Sequence, residues 1–340
     1  MNPIPAERYL KLHGTPYQVG HDLGRHLGPE LAQDIEDYLT AGPARFNGTN
    51  MHILAAGAMG WYDSLPERFR HEMEGLSDGA DIPLKTIATW GYADAGGKKA
   101  CSSFIYPTPD GPWIGRNNDL WALDLWGYAI QRHVTGRLGT LIFGLRGEIF
   151  AATGINSANL WLHYNWLPAF GPISENGWTP FVLLSEILET CATIDEVEAQ
   201  LFQNPRTGGM LIFAVDGSTG AYAMLECAPQ QVTRIDGDGD PLSGTNHFQA
   251  CATPQPAQAY APASVARLYA LNEQLKHLPT DPELEELRGV LAHPEVEQHQ
   301  ADYGTVYANL YNPLTREIWF TFGGYPAASR GNWQAVPWPF

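Results

Sequence analysis

The chain has 340 residues, of which 44% are hydrophobic and 17% charged, and its formal net charge at pH 7 is −17. This composition is typical of a globular protein with a large interior, and it excludes an intrinsically disordered chain. The negative charge opposes sequence-independent binding to nucleic acid or to anionic membrane surfaces, so we expect neither as a partner.

Cysteine usage and the N-terminal sequence narrow the protein class further. The four cysteines lack CxxC spacing and are too sparse for a disulfide scaffold; they are Cys101, Cys191, Cys227 and Cys251. The chain opens without the apolar region of a signal peptide, and no run approaches the roughly 18 apolar residues of a transmembrane helix. We therefore expect a cytoplasmic protein with reduced thiols and with no metal or cofactor.

The first hundred residues carry mainly helical patterns. Apolar residues at helical spacing predict a helix over about 16–41, with one face formed by Val19, Leu23, Leu27, Leu31 and Ile35. Residues 65–80 predict a second helix that stops at Ser-Asp-Gly, and Pro83 opens a third. Up to Gly97, then, the sequence indicates a mostly helical segment.

Beyond residue 100 the pattern changes to short β-like runs divided by Gly and Asn. Residues 180–203 return to a helical pattern, Asp216-Gly217 predicts a hairpin turn, two more helical segments follow, and a last strand pair turns at Asn312-Pro313. Because strands and helices do not alternate as regular βαβ units, the sequence predicts an α+β fold with antiparallel sheets covered by helices.

One cysteine has unusual neighbours. Cys101 is followed by Ser-Ser-Phe, then by a predicted turn at Asp110-Gly111 and by the sequence Arg-Asn-Asn-Asp. A hairpin that starts at Cys101 would bring Arg116 back beside it. Asp119 lies three residues after Arg116, so the two side chains face opposite sides of a regular strand, and only a bulge or bend would turn both inward. The other three cysteines are more simply interpreted as small buried hydrophobic residues.

The pattern Cys-Ser-Ser-Phe followed by Gly-Arg-Asn-Asn-Asp resembles the start of the mature chain in the acyl-CoA:6-aminopenicillanate acyltransferase family. That family belongs with the choloylglycine hydrolases among the N-terminal nucleophile hydrolases. Further segments resemble the family in the same order along nearly the whole chain: LHGTPYQVGHDLGRHLG, LWLHYNW, GTNHFQ, SVARLYALNEQL and YGTVYANLYNPLTREIWFTFGGYP. The resemblance implies a four-layer αββα sandwich with two antiparallel sheets.

The resemblance also implies that the chain cleaves itself between Ala100 and Cys101. Residues 1–100 would become a small chain that stays paired with a large chain of residues 101–340, the two together forming one globular unit. Cleavage frees an α-amino group on Cys101, and an α-amine titrates near pH 8, so it can accept the proton of the adjacent thiol. The family usually has glycine before the nucleophile. Alanine resists some backbone angles that glycine reaches, so we expect cleavage to proceed more slowly.

Roles for the other site residues follow from the same resemblance. Asp119 would accept a hydrogen bond from the new amine and orient it, while the positive charge of Arg116 would favour the thiolate. Asn246 matches the asparagine that donates to the oxyanion, Asn165 matches a second oxyanion or substrate contact, and Arg267 matches an arginine that supports the nucleophile. The structural alternatives are turn-forming asparagines and solvated charges.

The predicted activity is that of an amidohydrolase or acyltransferase on a linear, non-peptide C–N bond. Hydrolysis and transfer differ only in the group that accepts the acyl thioester, and the sequence leaves both open, as it does homo-oligomerisation. An alternative is a binding protein that keeps the fold without processing or catalysis. A zinc hydrolase built on His21 and His26 fails on spacing, since no HExxH motif is present.

Overall fold

The computed structural model describes residues 3–96, 100–170 and 177–340. The helices of these ranges are α1 (Pro16–Leu27), α2 (Leu31–Leu39), α3 (Met51–Ser64), α4 (Glu67–Ala80), α5 (Leu84–Gly96), α6 (Pro180–Thr190), α7 (Ile194–Gln203), α8 (Ala257–Tyr260), α9 (Pro262–Lys276), α10 (Leu284–Leu291) and α11 (Ala327–Arg330). The strands are β1 (Tyr9–Gly14), β2 (Ala100–Tyr106), β3 (Trp113–Leu120), β4 (Trp126–Val134), β5 (Thr140–Leu145), β6 (Thr153–Asn156), β7 (Leu160–Leu167), β8 (Gly209–Asp216), β9 (Tyr222–Ala228), β10 (Gln231–Asp236), β11 (Leu242–Gly244), β12 (Gly304–Asn312), β13 (Glu317–Phe322) and β14 (Asn332–Val336).

The strands form two stacked sheets. The larger has the order β1-β4-β5-β6-β7-β8-β9-β10, and the smaller has the order β11-β2-β3-β12-β13-β14. Strand β2 packs on β7 and β8, and β12 and β13 pack on β4, so the sheets lie face to face. Helices α1, α6 and α7 contact the larger sheet, and α9, α10 and α11 contact the smaller one. This arrangement confirms the predicted α+β class and the four αββα layers.

The three predicted turns that carry a clear sequence signal are present in the structure. The hairpin of β2 and β3 turns at Asp110-Gly111, where Gly111 has φ +102°, a backbone angle that favours glycine. The β8–β9 and β12–β13 connections likewise fall at Asp216-Gly217 and Asn312-Pro313. Residues 97–99, where the predicted mostly helical segment ends, lie outside the described residues.

Two helices are shorter than the sequence predicts. The predicted helix over 16–41 breaks at Gly28, which has φ +66° and is followed by Pro29, so α1 and α2 are separate. All five apolar residues of its predicted face are nevertheless buried. The predicted helix over 180–203 breaks after Thr190, and Thr193 begins α7 by accepting a hydrogen bond from the Glu196 amide.

Strand β1 was not predicted within the N-terminal segment, for which the sequence indicated a mostly helical structure. Leu10 and Leu12 alternate with more exposed residues, as in a half-buried strand. The strand pairs in parallel with β4, so the larger sheet is mixed rather than antiparallel as predicted. The segment before Ala100 therefore supplies an edge strand of the larger sheet.

Candidate active site

The β2–β3 hairpin brings a run of polar side chains into the protein interior. Cys101 pairs with Asn118 and Ser103 pairs with Arg116, so these four side chains share one face of the smaller sheet. Ser103 Oγ donates to Asn165 Oδ1 of β7 at 2.9 Å, which shows that this face points toward the larger sheet. Every residue of β3 is buried, although four consecutive ones are polar or charged, and such a run needs partners or a function.

Arg116 contacts the sulfur of Cys101 directly. Its Nη2 lies 3.2 Å from Cys101 Sγ and donates to the Tyr164 carbonyl at 2.9 Å. Its Nη1 donates to Thr153 and, at 3.1 Å, to Tyr307 Oη. Burial lowers the pKa of this guanidinium, but Cys101 and Tyr307 outweigh burial and the net direction is upward, so the group stays charged. The structure thus places a fixed positive charge in direct contact with the Cys101 sulfur.

The other three cysteines have different surroundings. Burial raises the pKa of Cys191 to about 11 and that of Cys227 to about 12, and it also raises the pKa of Cys251. Thiols of this kind are poor nucleophiles at neutral pH. Cys101 thus differs from the other three cysteines in that a guanidinium group contacts its sulfur.

Asp119 faces the opposite side of β3 from Arg116. The register of β3 against β2 is continuous, and Asp119 pairs with Ala100, while the bulge in this region lies in β12 between Thr305 and Tyr307. Asp119 Oδ1 accepts from Thr305 Oγ1 at 2.6 Å, but Oδ2 is buried and has no hydrogen-bond partner among the described residues. Burial raises the pKa of this carboxyl against the lowering effects of Arg267, Thr305 and Arg116.

Asn246 and Arg267 lie at the backbone nitrogen of Cys101. Asn246 Oδ1 accepts from the Cys101 N–H at 2.9 Å and from Arg267 Nη2 at 2.6 Å, and its Nδ2 donates to the Trp166 carbonyl at 2.9 Å. Two donors at the oxygen and a carbonyl at the nitrogen fix the orientation of this amide. In the intact chain Asn246 therefore offers its acceptor, not its donor, to Cys101.

Asn165 has a similar arrangement. Its Oδ1 accepts from Ser103, and its Nδ2 donates to the Gly244 carbonyl at 3.1 Å. In the uncleaved chain, Nδ2 of each asparagine predicted to bind an oxyanion therefore donates to a backbone carbonyl. Their oxyanion roles stay predictions that require a change of partner.

Two residues at the site were missed by the sequence analysis. Tyr303 Oη accepts a hydrogen bond at 2.8 Å from the N–H of Ala100, the residue before the predicted cleavage point. No local signal connects residues 203 positions apart. Asn118, by contrast, could have been found by counting across the predicted hairpin, because it lies directly opposite Cys101.

A cavity of about 560 Å³ lies beside this cluster. Tyr164 and Trp166, whose carbonyls accept from Arg116 and Asn246, form part of its wall. Helix α3 of the N-terminal segment contributes Gly60 and Trp61 to the wall. None of the described residues that line the cavity is charged. Trp166 and Trp178 line the cavity, while Trp121, Trp126 and Trp161 are core residues.

Two features are absent from the described residues, a metal-binding cluster and a membrane-spanning helix. No group of three or more His, Cys, Asp or Glu side chains in the described ranges is arranged to hold a metal ion. In the same part of the chain, none of the helices has the length and apolar character needed to cross a bilayer.

Comparison with known proteins gives one family and several solved structures. The family model for acyl-coenzyme A:6-aminopenicillanic acid acyl-transferase matches residues 107–326, more than half of the chain, beginning after Cys101. No curated protein sequence gives a match.

The similar solved structures include a mutant conjugated bile acid hydrolase from Clostridium perfringens (10% identity, 70% of this chain and 97% of that chain, TM-score 0.46). An N-acylethanolamine-hydrolyzing acid amidase ortholog from Caenorhabditis elegans has 14% identity, covering 63% and 93% of the two chains, with a TM-score of 0.46. Penicillin V acylase from Agrobacterium tumefaciens has 13% identity, covering 66% and 83%, with a TM-score of 0.45.

Proposed function

The chain belongs to the acyl-coenzyme A:6-aminopenicillanic acid acyl-transferase family and is therefore an enzyme of the amidohydrolase or acyltransferase class, and from that premise we propose that Cys101 is its nucleophile. The protein cleaves itself between Ala100 and Cys101 and then acts on linear, non-peptide amides. The contact between Arg116 and the Cys101 sulfur carries this proposal, because it places a buried positive charge beside this one of the four cysteines.

Self-cleavage begins with attack of Cys101 Sγ on the carbonyl carbon of Ala100. The C–S bond forms, the C–N bond breaks, and the thiol proton ends on the nitrogen of Cys101. Tyr303 accepts from the N–H of Ala100 at 2.8 Å, and Asn246 accepts from the N–H of the scissile peptide itself at 2.9 Å, so that the two residues hold this peptide beside the sulfur. Water then hydrolyses the thioester, which restores the thiol and leaves a carboxylate on Ala100.

Turnover uses the α-amine that cleavage creates. The amine accepts the thiol proton of Cys101 during attack on the substrate carbonyl and later returns a proton to the leaving amine. Asp119 Oδ2, which lacks a hydrogen-bond partner among the described residues, and Asn246 Oδ1 are the acceptors that would hold the amine. The acyl thioester passes to water in hydrolysis or to an amine in transfer.

The oxyanion role remains assigned to Asn246 and Asn165. Each must exchange a backbone carbonyl for the developing oxyanion after the chain is cut, and one such donor contributes about 3–4 kcal/mol of barrier lowering. Arg267 would then hold the amide of Asn246 in place, since its Nη2 already donates to Oδ1.

The neighbouring cavity supports an uncharged, largely apolar substrate. Its wall carries Trp61, Tyr92, Tyr164, Trp166 and Trp178 and, within the described chain, no charged group. Aromatic walls of this kind bind apolar or aromatic groups of small molecules. Because both predicted chains line the cavity, the small chain would remain part of the working enzyme.

Intact mass spectrometry tests the proposal directly. The purified wild type should give fragments 1–100 and 101–340, whereas Cys101→Ala should remain a single 37.4 kDa chain. Cys191→Ala removes another buried thiol outside the site and should be processed like the wild type. After exposure to an activated acyl ester, only the fragment that begins at Cys101 should gain the acyl mass.

Two outcomes would refute this function. Fragments in Cys101→Ala would exclude Cys101 as the cleaving residue, and full activity of an uncleaved wild type would exclude the need for a free α-amine. An intact wild type that forms no thioester yet binds small amides would support the alternative, a binding protein that has kept the fold.

A further inference from the structure

Asn118 is a buried amide beside the nucleophile with no part in the mechanism proposed above. It is the direct cross-strand partner of Cys101, and its side chain is on the same face of the sheet. Its Oδ1 lies 3.9 Å from Cys101 Sγ, and the residue is 1% exposed. The thiol can donate weakly to this oxygen, so Asn118 presents Oδ1 to the sulfur and leaves Nδ2 for another acceptor.

The described residues offer no such second acceptor. Asn118 Nδ2 is buried and has no hydrogen-bond partner within the described residues. Buried amide donors in native proteins are nearly always paired with protein, water or ligand, so a donor of this kind next to a reactive sulfur indicates a bound molecule.

Space for such a molecule lies between the two sheets. Asn118 lines a small cavity together with Leu120, Phe143 and Phe150, and the cavity has room for about one water molecule, with about 10 Å³ accessible to one. The carboxylates of Asp94 and Glu148 also line it, which disfavours an anionic group. One amide donor in a largely apolar wall selects for a neutral oxygen of about the size of water.

We propose that Asn118 determines acyl specificity by donating a hydrogen bond from Nδ2 to an uncharged ether, hydroxyl or ketone oxygen of the substrate's acyl group. The inference rests on the proposed function, since the acyl group is held here by its thioester bond to Cys101. Because Asn118 contacts the sulfur itself, the oxygen must lie close to the scissile carbonyl, within about two bonds of its carbon. A site built around a buried donor rejects analogues that lack the acceptor.

Three p-nitroanilides of equal chain length test the preference in the mature wild type. Their acyl groups are methoxyacetyl, (methylthio)acetyl and butanoyl, which place oxygen, sulfur or CH₂ at the same position. The thioether controls for electron withdrawal, since its sulfur is a weak hydrogen-bond acceptor. We expect kcat/KM for the ether to exceed both other values at least tenfold. Similar values for ether and thioether would overturn the proposal.

The variant Asn118→Leu assigns the preference to this residue. It should lower kcat/KM for the methoxyacetyl substrate about tenfold and change the other two less than twofold, with rates normalised to the Cys101 fragment measured by mass. An equal loss for all three substrates would make Asn118 a general contributor to the transition state, and unchanged rates for all three would give it no role; both refute the proposal.

Failure of the proposed function has a different signature. In that case no p-nitroanilide releases amine and no acyl thioester forms on Cys101 in the wild type. Release of amine with equal ether and thioether rates overturns only the role of Asn118. The wild-type comparison does not depend on whether the Asn118→Leu chain folds.

Discussion

Asp119 carries a carboxylate oxygen in the interior without a hydrogen-bond partner among the described residues. Leaving such a group unsatisfied costs about 1–3 kcal/mol, and burial accordingly raises the pKa of its carboxyl. In the uncleaved chain this cost lowers the folding stability at Asp119, the residue that pairs with Ala100. A new ammonium group on Cys101 would offset it, which gives Asp119 a larger favourable contribution after cleavage than before.

This penalty predicts a pH-dependent effect of Asp119→Asn in the uncleavable Cys101→Ala chain. A carboxyl whose folded pKa lies above its ordinary value of 3.8 contributes stability below that value and loses it as the pH rises through the folded pKa. Asp119→Asn should therefore have a higher melting temperature than its parent at pH 7, and the difference should shrink toward pH 4. A lower melting temperature at pH 7 would show instead that Arg267 and Thr305 stabilise the charged form in net terms.

At the scale of elements, the hairpin of β2 and β3 was predictable and its distant partners were not. Asp110-Gly111 and the spacing to Arg116 define this hairpin locally, so the contact between Arg116 and Cys101 followed from counting residues. Strand β1 is only six residues long and pairs with β4 more than a hundred residues later. Tyr303 likewise reaches Ala100 only through the fold.

The orientation of the site asparagines could not be predicted from the sequence either. A motif can place Asn246 near the nucleophile, but its carbonyl and amino ends are assigned by Cys101, Arg267 and Trp166, which come from three other segments. Sequence resemblance therefore indicated which residues meet, and the hydrogen-bond partners decided which atoms face each other.

Helix α3 provides a test of the substrate cavity. A Cβ atom at Gly60 would meet no heavy atom within 4 Å, so Gly60→Leu can extend into the cavity without a backbone clash. Leucine also favours a helix over glycine by about 0.8 kcal/mol. We expect unchanged or higher thermal stability, with kcat/KM for aromatic amides at least tenfold lower.

The matched control is Gly289→Leu on α10. Gly289 is equally open, lies in a helix and does not line the cavity. It should give the same gain in helix propensity with wild-type kcat/KM. Equal activity of the two leucine variants would place substrate binding elsewhere.

At the scale of the whole molecule, a buried ionic network joins the N-terminal segment to the rest of the chain. Arg68 of α4 donates through Nε to Glu189 Oε2 of α6 at 2.6 Å, and Glu72 of α4 lies 3.5 Å from Arg132 of β4. Arg68 also pairs with Glu72. Such a network links α4 to α6 and to β4, because each charge is stable in the interior only with its partner.

Removing one member should therefore weaken the association of the two predicted chains. Arg68→Met leaves Glu72 and Glu189 without a main partner, and breaking a buried pair costs about 3–5 kcal/mol. The urea midpoint should fall, and size-exclusion chromatography of the cleaved protein should show partial separation of its two chains.

Asp34→Asn is the comparison for a solvent-accessible pair. Asp34 lies 3.1 Å from Arg146 across the same two segments, with side chains 18% and 27% exposed. Loss of this pair should cost about 1 kcal/mol or less. If the two substitutions shift the urea midpoint equally, the buried network does not hold the chains together.

The parallel pairing of β1 with β4 has a practical consequence for anyone who produces this enzyme. A gene truncated to begin at Cys101 would imitate the mature N-terminus but would strip the outermost strand from the larger sheet. The bare backbone of β4 would then be open to pairing with other copies. Such a truncated chain should be insoluble, whereas the full-length chain keeps β1 paired with β4.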